Sequence, residues 1–295
     1  MSAYVGRFAP SPTGPLHLGS LATALGSWLD AQVHQGRWLV RIEDIDPERC
    51  KPEHTSAILQ ALHAHGLHPD EPIWTQSQRH DVYDHTLEHL LHAGAVYPCA
   101  CTRKELDAAN QHRAFGDNRV YPGTCRHGMP KGRTARALRL RVPETPVVWT
   151  DWRLGPQAED LNHTSGDFVL KRGDGHWAYH WVVVVDDALA GVTDVVRGED
   201  LTDTTGRQVA VYRAMGWPEP RYFHLPVILA EDGQKLSKQT GAQALDCQCP
   251  LDNLAHVWSH FGMPALGAGL SLTGWLQKAV PIWANYRAAH RHPAV

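Results

Sequence analysis

Apolar positions along this chain keep two rhythms, and the points where the rhythm changes mark its elements. Residues 4–8 form a short, mostly apolar run that predicts a buried strand. A loop over residues 9–15 follows, punctuated by three prolines and a glycine. Leu18, Leu21, Ala22, Leu25 and Leu29 then share one helical face, so a helix is expected to about Ala31. Residues 38–42 read as a second strand, which completes a strand–loop–helix–strand unit of the doubly wound type. Two more helices are predicted, one over residues 55–65 and one from Val82 through Leu87, Leu90 and Leu91 to Gly94.

Between residues 97 and 142 the periodicity fades while cysteine, glycine and proline become frequent, as in a small insertion. Within it "TRKE", residues 102–105, has the form of a capping box that starts a short helix. "FVLKRGDGHWAY" predicts a hairpin around residues 173–175. "WVVVVDD", residues 181–187, reads as a buried strand running into a polar turn, and "HLPVIL", residues 224–229, as a late strand of a parallel sheet. Val209 and Tyr212 belong to a helix closed near Gly216. The expected fold is α/β with a doubly wound, Rossmann-type parallel sheet. Its halves span residues 1–96 and 143–240, separated by the insertion over 97–142. Residues 241–295 predict two or three helices packed on the core rather than a separate recognition domain.

Composition narrows the classes. The formal net charge of −3 gives no global attraction for nucleic acid, although a local basic stretch such as residues 126–141 can still touch phosphates or form a solvated strand face. The longest aliphatic run, Val182 to Val185, is far too short to span a bilayer, and no leader-like segment opens the chain. A cytoplasmic location is expected, with the six cysteines serving as thiols or metal ligands rather than disulfides.

Two stretches carry candidate chemistry. His17 and Gly19 stand where the first helix should begin, and the unpaired N–H groups there favour a phosphate. A lone H-x-G pattern is common, and an ordinary turn before a helix would look the same. In "EDGQKLSKQTG", Lys235 and Lys238 lie three apart on a glycine-flanked loop suited to a leaving pyrophosphate, or simply to solvent.

Read together, His17-Leu18-Gly19-Ser20 and Lys235-Leu236-Ser237-Lys238-Gln239 resemble the paired signatures of class I aminoacyl-tRNA synthetases. "RFAPSPTGPLHLG", "VRIEDIDPER", "YHWVVVVDD" and "VVRGEDL" extend the resemblance to the glutamyl branch over about 230 residues. Ser20 replaces the second histidine of the first signature, and Leu236 replaces the methionine of the second. The resemblance implies ATP with Mg2+ at His17, Gly19, Ser20 and Lys238, with Lys235 assisting. It also implies glutamate at Arg7, Ser11, Glu43, Tyr179 and Arg197. These are suitable groups, because guanidinium ions pair with carboxylates and a carboxylate pairs with an ammonium. The alternatives are that Arg7 and Glu43 pair with each other, and that Tyr179 is a core aromatic beside Trp177 and Trp181. Val183, where many glutamyl enzymes carry asparagine, alters one wall of the expected pocket.

Cys99, Cys101 and Cys125 suggest a structural zinc in a segment with little apolar core of its own. Ligand chemistry alone favours His127 or His112 as the fourth ligand, whereas the resemblance to tRNA-modifying paralogues of the glutamyl enzymes implies Tyr121. Recruitment of Cys247 and Cys249 is a further alternative, and free thiols are another. The short C-terminal region makes the chain resemble the glutamyl-Q tRNA(Asp) synthetases, which imply a glutamyl-adenylate and transfer of glutamate to queuosine in the anticodon of tRNA(Asp), by a monomer. A glutamyl-tRNA synthetase charging a tRNA 3′ end, another nucleotidyltransferase and a non-catalytic nucleotide- or tRNA-binding paralogue are the competing expectations.

Overall fold

The structure, a computed structural model, describes residues 3–113, 119–228 and 243–292. Its first part runs β1 (Val5–Phe8), α1 (Leu18–Val33), β2 (Arg37–Ile42), α2 (Pro52–Ala64) and β3 (Trp74–Thr75). The middle continues with α3 (His80–His92), β4 (Val96–Cys99), α4 (Arg103–Ala109), β5 (Ala137–Leu140), β6 (Val147–Asp151) and β7 (Gly155–Glu159). Next come α5 (Leu161–Thr164), β8 (Val169–Arg172), α6 (Tyr179–Leu189), β9 (Asp194–Gly198), α7 (Thr202–Met215) and β10 (Arg221–Leu225), before α8 (Pro250–His260) and α9 (Leu272–Ala289).

Strands β1, β2 and β3 pair in parallel, as do β9, β10 and β6, with β7 antiparallel at that edge. The Thr193 N–H donates to the Val5 carbonyl over 2.9 Å, which lays the start of β9 beside β1. Across the layer the order is therefore β3-β2-β1-β9-β10-β6-β7, and the chain reverses its direction of winding between β1 and β9. Crevices at the carboxyl ends of strands flanking such a reversal are where doubly wound sheets bind ligands.

Side-chain alternation covers both faces of the sheet. Trp38, Val40, Ile42, Val196 and Phe223 pack toward α1, α2, α8 and α9. Their neighbours Leu39, Val195 and Tyr222 pack toward α3, α6 and α7. Asp30 of α1, wholly buried, accepts from Tyr4 Oη at 2.7 Å and from Arg287 Nε of α9 at 2.5 Å.

Most expected elements are present, including the capping box, in which Glu105 N–H donates to Thr102 Oγ1 over 3.2 Å and Thr102 N–H to Glu105 Oε2 over 2.7 Å. The hairpin forms where Arg172 N–H donates to the His176 carbonyl over 2.8 Å, and Gly216 closes α7 at φ 67°. Residues 181–187 are not a strand. They lie in α6, because a short apolar run enclosed on all sides has no alternation to separate strand from helix. Burial of Val182 to Val185 offsets the modest helical penalty of β-branched residues, and Asp186 and Asp187 stay inside rather than in a polar turn. The late strand also begins earlier than expected and stops at Leu225, before Pro226, which has no N–H for the ladder. Strands β4, β5 and β8 make a separate antiparallel sheet, so the sheet under the thiols takes one strand from beyond residue 142.

Candidate active site

The carboxyl ends of β1, β9 and β10 open into a cleft of about 220 Å³. Its walls include Arg7, Ser11, His17, Gly19, Ser20, Tyr179 and Arg197. Of the residues expected at glutamate or nucleotide, these seven converge. Glu43 and Val183 are buried and are not among the lining residues. Lys235 and Lys238 lie outside the described residues.

His17 is the N-cap of α1, and its Nδ1 accepts from the Ser20 N–H over 3.3 Å. An accepting Nδ1 fixes the neutral tautomer with its proton on Nε2, so His17 is a hydrogen-bond donor from that edge. The first turn of α1 carries no acidic residue to compete with an anion.

Behind the cleft lies a dry ionic network. Arg7 Nε contacts Asp187 Oδ2 at 3.2 Å, and Arg41 Nη1 contacts Asp187 Oδ1 at 2.5 Å. Arg41 Nη2 reaches Glu43 Oε1 at 2.9 Å. Arg7 and Glu43 are therefore not partners; Arg41 and Asp187 stand between them. Burial opposes the charge on Asp187, but Arg41 and Arg7 outweigh it and hold the carboxyl below its ordinary range. Burial also pushes Glu43 up, against the pull of Arg41. Asp186, one residue earlier, takes Arg79 Nε at 2.7 Å, Gln76 Nε2 at 2.9 Å and Tyr83 Oη at 2.9 Å.

Arg197 is treated differently. It is 2% exposed, and its partners are neutral. Nε donates to His224 Nε2 at 3.1 Å, Nη1 to Gln208 Oε1 at 2.8 Å, and Nη2 to Thr205 Oγ1 at 2.8 Å and the Leu201 carbonyl at 3.3 Å. Among the described residues no carboxylate forms a salt bridge with it, and its neutral partners hold it as a fixed, oriented cation on the cleft wall. His224 Nδ1 in turn meets Asp151 Oδ2 at 2.7 Å. Sequence reasoning found Arg197 but missed His224, Asp151, Arg41 and Asp187. The one local signal was the "DD" pair, whose burial no local pattern reveals.

In the insertion, the sulfur atoms of Cys99, Cys101 and Cys125 lie within 4.8 Å of one another, with Cys101 Sγ and Cys125 Sγ 3.8 Å apart. A tetrahedral zinc with bonds of about 2.3 Å sets its sulfurs roughly 3.8 Å apart. Tyr121 Oη is 3.5 Å from Cys99 Sγ and 4.0 Å from Cys101 Sγ, and accepts from the Cys125 N–H at 2.7 Å. His112, His127, Cys247 and Cys249 do not join the group among the described residues. Burial and the neighbouring Cys99 push Cys101 up to about 11, the penalty of crowding thiolates without a cation. The donor set fits a soft divalent metal. In the basic stretch Arg126 and Arg139 are held by the Asp167 carboxylate and carbonyl, Arg133 by Glu105 and Arg141 by the Gly94 carbonyl, while Lys131 and Arg136 are exposed.

Over residues 4–252 the chain matches the family model described as tRNA synthetases class I (E and Q), catalytic domain. Among curated relatives, a glutamyl-Q tRNA(Asp) synthetase of Albidiferax ferrireducens is 48% identical, covering 96% of this chain and 99% of that protein. One from Cupriavidus metallidurans is 50% identical, covering 95% and 91%. Among solved structures, a glutamate tRNA ligase from Elizabethkingia meningosepticum in complex with its amino acid superposes with a TM-score of 0.72 at 33% identity, covering 81% of this chain. The chain spans 53% of that ligase. A methionyl-tRNA synthetase of Mycobacterium tuberculosis, at 13% identity and a TM-score of 0.58, shares the fold alone. No helix among the described residues is long and apolar enough to cross a membrane.

Proposed function

Because the chain belongs to the catalytic-domain family of class I glutamyl- and glutaminyl-tRNA synthetases, we propose that it activates L-glutamate with ATP and passes the glutamyl group to queuosine in tRNA(Asp). The names of its relatives at about half identity favour the queuosine acceptor. The observation that carries glutamate activation is Arg197, a buried cation that no carboxylate among the described residues pairs with, on the wall of a cleft that also holds the His17-capped start of α1. A dicarboxylic acid supplies the missing charge.

Arg197 takes one glutamate carboxylate, with Tyr179 and Ser11 beside it. Arg7, steadied by Asp187, faces the other end. Glu43 acts from behind through Arg41, adding negative potential on the side where the ammonium lies. An oxygen of the α-carboxylate attacks the α-phosphorus of ATP. The bond from that phosphorus to the bridging oxygen breaks, and pyrophosphate leaves. The α1 N-terminus at His17, Gly19 and Ser20 receives phosphate oxygens, and Lys238 with Lys235 neutralises the departing charge, ATP arriving with Mg2+. A queuosine hydroxyl then attacks the carbonyl carbon of the adenylate and AMP departs. Cys99, Cys101 and Cys125, with Tyr121 as fourth ligand, hold a structural zinc that ties the insertion together.

Glutamate-dependent exchange of labelled pyrophosphate into ATP without tRNA tests the first step, and its absence would refute glutamate activation. For the second, labelled glutamate is incubated with ATP and tRNA(Asp) with or without queuosine, and the labelled nucleotide is found by nuclease digestion. Label on the terminal adenosine would instead make the protein a charging enzyme.

A further inference from the structure

A second cavity of about 180 Å³ lies between the insertion and α7, lined by Arg119, Arg139, Arg207, Tyr121, Ser165 and Phe168 among others. Among the described residues, three guanidinium groups and no carboxylate line it. Arg119 is bound at its rim by Asp107 at 2.5 Å. Arg139, 7% exposed, donates Nη1 to the Asp167 carbonyl at 2.7 Å, and Arg207 donates Nη2 to the Asp203 carbonyl at 3.1 Å. Among the described residues, the buried Nε atoms of both Arg139 and Arg207 find no hydrogen-bond partner. Two cations with unfilled donors at one cavity are costly unless an anion completes them.

The cavity is one aromatic layer from the catalytic cleft. Phe168 lines the cavity and Tyr179 lines the cleft, and the His180 ring touches both edge-on, at 5.9 and 5.6 Å. We infer that Arg119, Arg139 and Arg207 form a phosphate subsite for the RNA acceptor, receiving one backbone phosphodiester close to the nucleotide being glutamylated. The space suits a phosphate better than a whole nucleotide, and planar guanidinium forks match its oxygens. This rests on the proposed transfer to tRNA, and uses residues that glutamate activation does not require.

The test measures binding of queuosine-containing tRNA(Asp) at several salt concentrations, alongside tRNA-free pyrophosphate exchange, for wild type, Arg207→Ala, Arg207→Lys and Arg119→Ala. The alanine variants should keep exchange, bind tRNA about tenfold more weakly, and show a log–log salt slope shallower by roughly 0.7–0.9 per phosphate lost. Arg207→Lys should restore the slope but only part of the affinity. Variants that keep exchange and bind tRNA with unchanged affinity and slope would overturn the subsite. So would loss of inorganic phosphate binding in Arg207→Ala with tRNA binding intact, since the cavity would then serve a free anion. If Arg207→Ala loses exchange by misfolding, Arg119→Ala, on a side chain 55% exposed, decides the matter. Wild-type protein without exchange would instead refute the activation reading.

Discussion

Arg197 donates its Nε–H to His224 Nε2 over 3.1 Å, and both side chains are shut off from water. Guanidinium nitrogen is a donor only, so His224 must keep Nε2 bare and carry its proton on Nδ1, toward Asp151 Oδ2 at 2.7 Å. Burial lowers the His224 pKa and keeps the ring neutral, against the opposing pull of Asp151. Carboxylate, imidazole and guanidinium thus form a chain that aims Arg197 into the cleft. His224→Ala should raise KM for glutamate in pyrophosphate exchange by about 10- to 100-fold, with a smaller change in kcat. His224→Gln, whose amide oxygen still accepts, should recover most of it. Equal loss in both variants would remove the positioning role.

Acid should weaken the fold through two enclosed histidines. Burial, reinforced by nearby Arg207 and Arg197, lowers His180 to about 3, and His224 is lowered as well. Unfolded histidines titrate near 6.5, so below that pH the unfolded chain binds protons that the folded chain refuses. Stability is then full above about pH 6.5 and falls below it, by up to about 1.4 kcal/mol per pH unit for each ring. Urea midpoints between pH 7.5 and 5 should show a flatter acid limb for His180→Phe than for wild type.

Asp187→Asn should be severe. Asp187 is the salt-bridge partner of Arg7 and shares Arg41 with Glu43 and Asp186, so removing its charge strands the buried Arg7 and weakens the hold on Arg41. A loss of about 3–5 kcal/mol is expected from denaturant unfolding, as for other broken buried pairs.

At the proposed zinc site of Cys99, Cys101 and Cys125, chelation should release the metal and open the insertion, and Cys125→Ser should do the same. Tyr121→Phe keeps three thiols and should retain metal with weaker affinity, measured by chelator competition. Gly166→Ala should mimic ligand loss. Gly166 sits at φ 63°, and an added Cβ would come 2.8 Å from the Tyr121 backbone nitrogen.

Lys238→Ala should slow pyrophosphate exchange about a hundredfold, the loss of roughly 3 kcal/mol of transition-state stabilisation. Exchange at the wild-type rate would deny Lys238 its proposed role.

What was legible in the sequence was local. The β1–α1–β2 unit, the Thr102–Glu105 cap and the three clustered thiols are each written within a few dozen residues. The partners that tune the site are distant. Arg41 and Asp187 are 146 positions apart, and His224 and Asp151 are 73 apart. No periodicity joins such residues; only the sheet order does. Residues 181–187 failed for a related reason, since a segment buried on every side shows no polar face from which its period can be read.

The contact between Asp30 and Arg287 bears on how the protein is made. The carboxylate leaves the ribosome early, while its guanidinium lies 257 positions downstream. At about 5–20 residues per second, the nascent first half waits roughly 13–50 seconds for that cation. Until then α1 must either keep Asp30 in water or bury it without its cation, so the final closure of this domain waits for α9 to emerge.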